Sequence, residues 1–138
     1  MKRAEALQPL SHDHYEGLQM AARIRRSLRG GEDVKALAEA IPAFWTEHLV
    51  PHFAEEEALV VPLLQKGAPA LAERMRREHA ALRALTEAVA AAGTEPEEAL
   101  TAFADALAAH IRFEEREAFP AAERLLEATP AVPHDGDA

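Results

Sequence analysis

Apolar side chains along this chain recur at intervals of three and four rather than two, the period of an α-helix and not of a strand. Ala and Leu abound and β-branched residues are sparse, so local propensity agrees with the period. Gly and Pro cut the pattern into four long segments. The first opens near Ser11, a residue suited to N-capping, and ends at Gly30 and Gly31. The second runs from near Asp33 to Lys66 and Gly67 and carries Pro42, Pro51 and Pro62, which predicts a bent helix or two collinear pieces. The third starts at Pro69, a favoured first-turn residue, and stops by Gly93. The fourth follows "TEPEE", with Thr94 as its cap, and reaches Phe119; Pro120 interrupts it before a short helix to Glu127. Residues 129–138 are expected to form a mobile tail. Short connections between long amphipathic helices favour antiparallel neighbours. The chain therefore reads as all-α, an up-down-up-down antiparallel four-helix bundle over residues 1–128.

Polar residues break into these apolar stripes at matching places. His14 shares a face with Leu10, Leu18 and Ala21, whereas His12 lines up with Glu16, Gln19 and Arg23 and faces water. In "HLVPHFAEEEAL", His52 and Glu56 share a face with Trp45, Leu59 and Leu63, and His48 sits one turn earlier. His79 stands at the edge of the stripe of Leu71, Met75 and Leu82. His110 and Glu114 follow Phe103 and Leu107 at helical spacing, and His134 belongs to the tail. Each long segment thus contributes one inward imidazole, and two of them add a carboxylate one turn later.

A single inward His is most simply a hydrogen-bonded core residue, but an inward Glu is different. An isolated buried carboxylate would protonate or turn outward. Four imidazoles and two carboxylates in so small a domain cannot easily satisfy one another, and a metal solves the problem. These ligands suit iron, manganese or zinc. Six exceed what one tetrahedral Zn²⁺ takes, so they suit two ions whose carboxylates bridge. Two rival patterns fail on the residues. Ferritin-like bundles place a Glu three residues before a His, which none of the seven His residues has. The metalloprotease helix needs Glu after its first His, where "HLVPH" has Leu49.

Composition narrows the chemistry further. With 138 residues the chain is long enough for one domain with its own core. The absence of Cys excludes disulfides, thiolate metal sites and thiol nucleophiles. A net charge of -9 argues against nucleic-acid and membrane partners, and the basic runs "RIRR" and "RMRR" read as solvated helix faces. Neither a signal peptide nor an apolar run of about 20 residues is present, so a cytoplasmic protein is expected.

The stretches "LSHDHYEGL", "HFAEEEALVVPLL", "REHAALRAL" and "HIRFEEREAFP", in this order on four helices, resemble the hemerythrin-like (HHE cation-binding) family over residues 10–126. The resemblance implies a bundle holding a non-haem di-iron centre. His79 and His110 would hold one iron, His14 and His52 the other, and Glu56 and Glu114 would bridge them. The chain departs from the oxygen carriers of that family twice. Met75 stands where their third helix has a second His, and Glu114 lies four residues after His110 where they have an Asp five residues on. Candidates to fill the vacated position are Glu78 and, for the other iron, His48 or His12. Tyr15, Glu55, Glu57, Glu115 and Glu117 neighbour the ligands and could orient an imidazole through its free N–H. Pro51 could bend the second helix so that His52 reaches inward.

The expectation is a metal- and gas-binding protein rather than an enzyme: two irons, replaceable by zinc or manganese, that take up O₂ or NO. The alternatives are a di-iron redox enzyme reducing peroxide or NO, and an iron-storage or iron-responsive protein read by a protein partner.

Overall fold

The computed structural model describes residues 3–128, and they form helices and short turns. A 3₁₀ turn at Glu5–Leu7 leads into α1 (Gln8–Gly30). Next come α2 (Val34–Phe44), α3 (Val50–Gly67), α4 (Pro69–Ala91), α5 (Glu97–Phe113) and α6 (Phe119–Ala128). Single π-helical turns, Trp45–Leu49 and Glu114–Ala118, join α2 to α3 and α5 to α6. The six helices therefore make four rods, α1, α2–α3, α4 and α5–α6, packed as the antiparallel bundle that the apolar period predicts.

The second segment is, as expected, in two pieces, here joined by a π turn. Pro120, however, does not interrupt the fourth. Pro51 and Pro120 each stand two residues beyond the end of a π turn, at Leu49 and Ala118. A π turn widens the hydrogen-bond ladder, so a residue in the next first turn can lack an N–H without loss. Two helix starts also differ from expectation. α1 opens at Gln8 with Pro9 in its first turn, and the Ser11 hydroxyl caps nothing; it donates to Glu115 Oε2 at 2.6 Å. α5 opens after Pro96, and Thr94 makes no cap. Gly31 does end α1 as predicted: at φ 69° it takes the left-handed conformation, and its N–H reaches the Ser27 carbonyl.

Some stripe positions move as well. The buried face of α1 is Leu10, His14, Gly17, Ala21 and Ile24, with Leu18 exposed. That of α3 runs through His52, Phe53, Glu56, Val60, Val61 and Leu64, with Leu59 exposed. Apolar residues at 59, 60, 61, 63 and 64 leave the phase open on paper, and the π turn rotates residues 45–48 relative to those after it. Gly17 lets α1 approach α5, because a Cβ there would lie 2.8 Å from Ile111 Cδ1.

Two apolar clusters divide the interior. One gathers Ile24, Leu37, Ile41, Leu82, Phe103 and Leu107; the other gathers Leu10, Val60, Leu64, Met75, Phe113 and Phe119. In every rod the inward polar residues fall between members of these two clusters, so the polar site is a layer across the middle. No helix among the described residues is long and apolar enough to cross a membrane. The expected tail, His134 included, lies outside the described residues.

Candidate metal centre

All six inward residues converge. His14, His52, Glu56 and Glu114 form one group of buried donors, and Glu56, His79, His110 and Glu114 a second; within each, one ligand atom per residue lies within 4.8 Å of the others. The two carboxylates belong to both. Glu56 turns Oε2 toward His52 Nε2 at 2.8 Å and His14 Nε2 at 3.5 Å, and Oε1 toward His79 Nε2 at 2.9 Å. Glu114 turns Oε1 toward His14 Nε2 at 2.8 Å, and Oε2 toward His110 Nε2 at 3.0 Å and His79 Nε2 at 3.5 Å. Both acids are completely buried.

Four of these atoms have no hydrogen-bond partner: His52 Nε2, Glu56 Oε2, His110 Nε2 and Glu114 Oε2. The short N···O distances bring them together without aligning them. Each unpaired buried group costs about 1–3 kcal/mol, and polar interiors rarely carry several at one spot. Imidazole nitrogens and carboxylate oxygens converging on two points are the donor set that fits transition-metal cations.

Every imidazole turns its other nitrogen outward to an acid. His14 Nδ1 donates to Glu115 Oε2 at 2.7 Å, His52 Nδ1 to Asp13 Oδ2 at 3.1 Å, His79 Nδ1 to Glu57 Oε2 at 2.9 Å and His110 Nδ1 to Glu78 Oε1 at 2.7 Å. Each acid is the chain neighbour of an inward donor on a different rod: Asp13 precedes His14, Glu57 follows Glu56, Glu78 precedes His79 and Glu115 follows Glu114. The support passes from α1 to α3, α3 to α4, α4 to α5 and from the turn after α5 back to α1, a closed circuit. Such partners fix the tautomer and orientation of an imidazole. Two of the acids are themselves held. Arg3 Nη2 and Ser11 Oγ donate to Glu115 at 2.8 and 2.6 Å, and Arg74 Nε donates to Glu78 Oε2 at 2.8 Å. Aromatic rings complete the packing: Phe53 stacks on His79 with centroids 3.9 Å apart, and Phe119 on His14 at 5.3 Å.

Electrostatics match a site built for cations. Burial lowers the pKa of His14, but hydrogen bonds to Glu114, Glu115 and Glu56 outweigh it and push it up to about 11. Burial likewise opposes protonation of His79 and His110, and the surrounding carboxylates lift them to about 10 and about 9. His52 is raised against burial by Glu56. Burial pushes Glu114 up, but the facing His110, His14 and His79 hold it well below the usual carboxylate range. These shifts favour positive charge at the imidazoles that face the two buried acids, the sign of charge that a bound cation would supply.

The remaining candidates lie elsewhere. Glu78 serves His110 from outside, and Met75, one turn before His79 on α4, is fully buried in the second cluster. His48 is exposed and pairs with Glu16 at 2.9 Å, and His12 is exposed. Of the acids expected to orient imidazoles, Glu57 and Glu115 do; Glu55 faces solvent, and Glu117 lies 3.7 Å from Arg74. Tyr15 is exposed and accepts from Gln19. Asp13 was not singled out by the pattern, although its place beside His14 repeats the acid-next-to-donor arrangement of the other three.

Fold and site together define a cation-binding four-helix bundle. The chain belongs to the hemerythrin family: the hemerythrin HHE cation binding domain matches residues 4–122. No curated protein and no solved structure shows significant similarity to it.

Proposed function

We propose that the cation is iron, that two ions are bound, and that the centre binds or senses O₂ or NO. His14 and His52 would hold one iron, His79 and His110 the other, and Glu56 and Glu114 would bridge. The observation that carries this reading is that both buried carboxylates present one oxygen to each pair of imidazoles. Paired irons supply reversible redox chemistry toward a small diatomic ligand when bound. The chain's own residues hold and shelter them. The outer acids keep each Nδ1 protonated and each Nε2 turned inward, while Phe53, Phe113 and Phe119 pack against the imidazole rings. Met75 supplies packing and no donor, so the two halves have equal numbers of imidazoles.

A cleft of about 220 Å³, reaching His14, His52 and His110 from the surface, favours, within the alternative of a redox enzyme acting on peroxide or NO, the peroxide substrate. It is roomier than the ~150 Å³ cavity that holds a benzene, and so wider than a diatomic gas requires. Absorption spectroscopy of anaerobically prepared, iron-loaded protein, followed through exposure to O₂ and its removal, separates the readings. A spectrum that reverses when the gas is withdrawn supports binding or sensing. Irreversible bleaching on first exposure overturns it, and turnover of peroxide with an electron donor establishes the enzyme.

A further inference from the structure

The same cleft lies between α1 and the second rod, with α5 at its floor, and its mouth is acidic. Asp13, Glu16, Glu47 and Glu55 border it, and no Lys or Arg is among its described lining residues. Two lining imidazoles, His52 and His110, are 94% or more buried and carry the Nε2 atoms that lack partners. At the surface, His48 Nδ1 lies 2.9 Å from Glu16 Oε1, the same imidazole–carboxylate pairing as inside. His48 precedes His52 by four residues in one rod, about one helical turn, or ~5–6 Å. A second cleft, between the second rod and α4, also reaches an inward imidazole, His79, but two arginines, Arg76 and Arg83, border it against one acid, Glu57. The first mouth therefore favours cations and the second, with a net positive lining, does not.

We propose that the acidic cleft is the port through which a divalent transition-metal ion reaches the centre, with His48 and Glu16 the first donors it meets. The proposal rests on the metal-centre reading above. Asp13 lines the same cleft and meets His52 Nδ1 at 3.1 Å, so nitrogen and oxygen donors are present both at the mouth and beside an imidazole of the centre. Arg23 and Arg26 border the adjoining cleft, which shares Glu16, Phe44 and His48, and they oppose the ion's approach.

The test is the rate at which the metal-free full chain takes up Co²⁺ alone, read from its visible absorption and the fluorescence of Trp45. H48A and the double variant E47Q/E55Q should load about tenfold more slowly at low ionic strength, and the control E39Q/E98Q, with the same charge change elsewhere, within about twofold of the unsubstituted chain. Added salt should close the gap for E47Q/E55Q, and R23Q/R26Q should load faster. All variants should reach the same final occupancy. Port variants that load at the control's rate overturn the proposal. So does an H48A chain that loses final occupancy, because His48 would then be a ligand of the centre. If the unsubstituted chain takes up no Co²⁺, the metal-centre reading fails first and the port with it.

Discussion

The site contains two sets of carboxylates with the same chemistry in opposite surroundings. Glu56 and Glu114 are fully buried and face only imidazoles and one another, whereas Asp13, Glu57, Glu78 and Glu115 lie at the rim, where water shares their charge. The inner pair cannot be left alone, because an unpaired charge in such a place costs several kcal/mol. Either protonated imidazoles or cations must face it. The outer four are stable without a metal, and their contribution is orientation. On the proposed reading, inner acids would decide whether a cation binds, and outer acids how tightly.

The largest effect should come from removing an inner acid. Glu114→Ala or Glu56→Ala takes one oxygen from each half at once, so metal analysis should show loss of the paired centre and not a weakened version of it. Glu57→Gln is the matching outer change and should leave full occupancy at saturating metal. Loss of both ions from Glu57→Gln would erase the distinction.

Next comes removal of the metal itself. A ligand at a thousandfold its Kd stabilises the fold by about 4 kcal/mol, so chelation should lower Tm by on the order of 10 °C. The metal-free protein should also show a pH window. Its raised imidazoles contribute stability that is fully present below the ordinary value of 6.5 and lost as pH rises through about 9 to 11, the values of His110, His79 and His14. Glu114, lowered by the facing imidazoles, works in the other direction, contributing above the ordinary value of 4.5 and losing its contribution in acid. Thermal denaturation across pH should find metal-free Tm falling above about pH 9, with the loaded protein less affected, because cations have replaced those protons. Metal affinity should rise with pH for the same reason. A flat metal-free profile would contradict the inner pairing.

Smaller effects should grade the outer acids among themselves. Glu115 is held by Arg3 and Ser11 and Glu78 by Arg74, while Asp13, about half exposed, meets His52 at a longer 3.1 Å. Glu115→Gln should weaken metal binding by about 10-fold to 100-fold, the usual effect of losing an imidazole's partner. Asp13→Asn should cost less. Competition titration against a chelator measures both, and equal losses would show that the braces contribute nothing.

Much of this was legible in the residues. The period of the apolar positions predicts four antiparallel rods, and the phases of His14, His52, Glu56, His79, His110 and Glu114 select the six side chains that converge. What stayed hidden has local causes. The π turn at Trp45–Leu49 shifts the helical phase by part of a turn, so His48, a candidate ligand one turn before His52, lies at the surface. The turn at Glu114–Ala118 lets the rod run through Pro120, which reads as a break. Ser11 has the chemistry of a cap, but three-dimensional proximity to Glu115 engages its hydroxyl. Glu78 reads as a replacement ligand because it neighbours His79, yet its side chain crosses to His110. Asp13 shows why the outer circuit is hard to see: each acid serves an imidazole on another rod, and only packing reveals the partner.

The central claim is that six buried donors are tolerable together because they enclose cations. Its most direct test is calorimetric titration of the metal-free protein with Fe²⁺ under anaerobic conditions, repeated in buffers of different ionisation enthalpy to count the protons released. The account predicts two ions taken up per chain, with release of protons from the imidazoles. Saturation without heat or proton release, in a protein equally stable before and after, would contradict it.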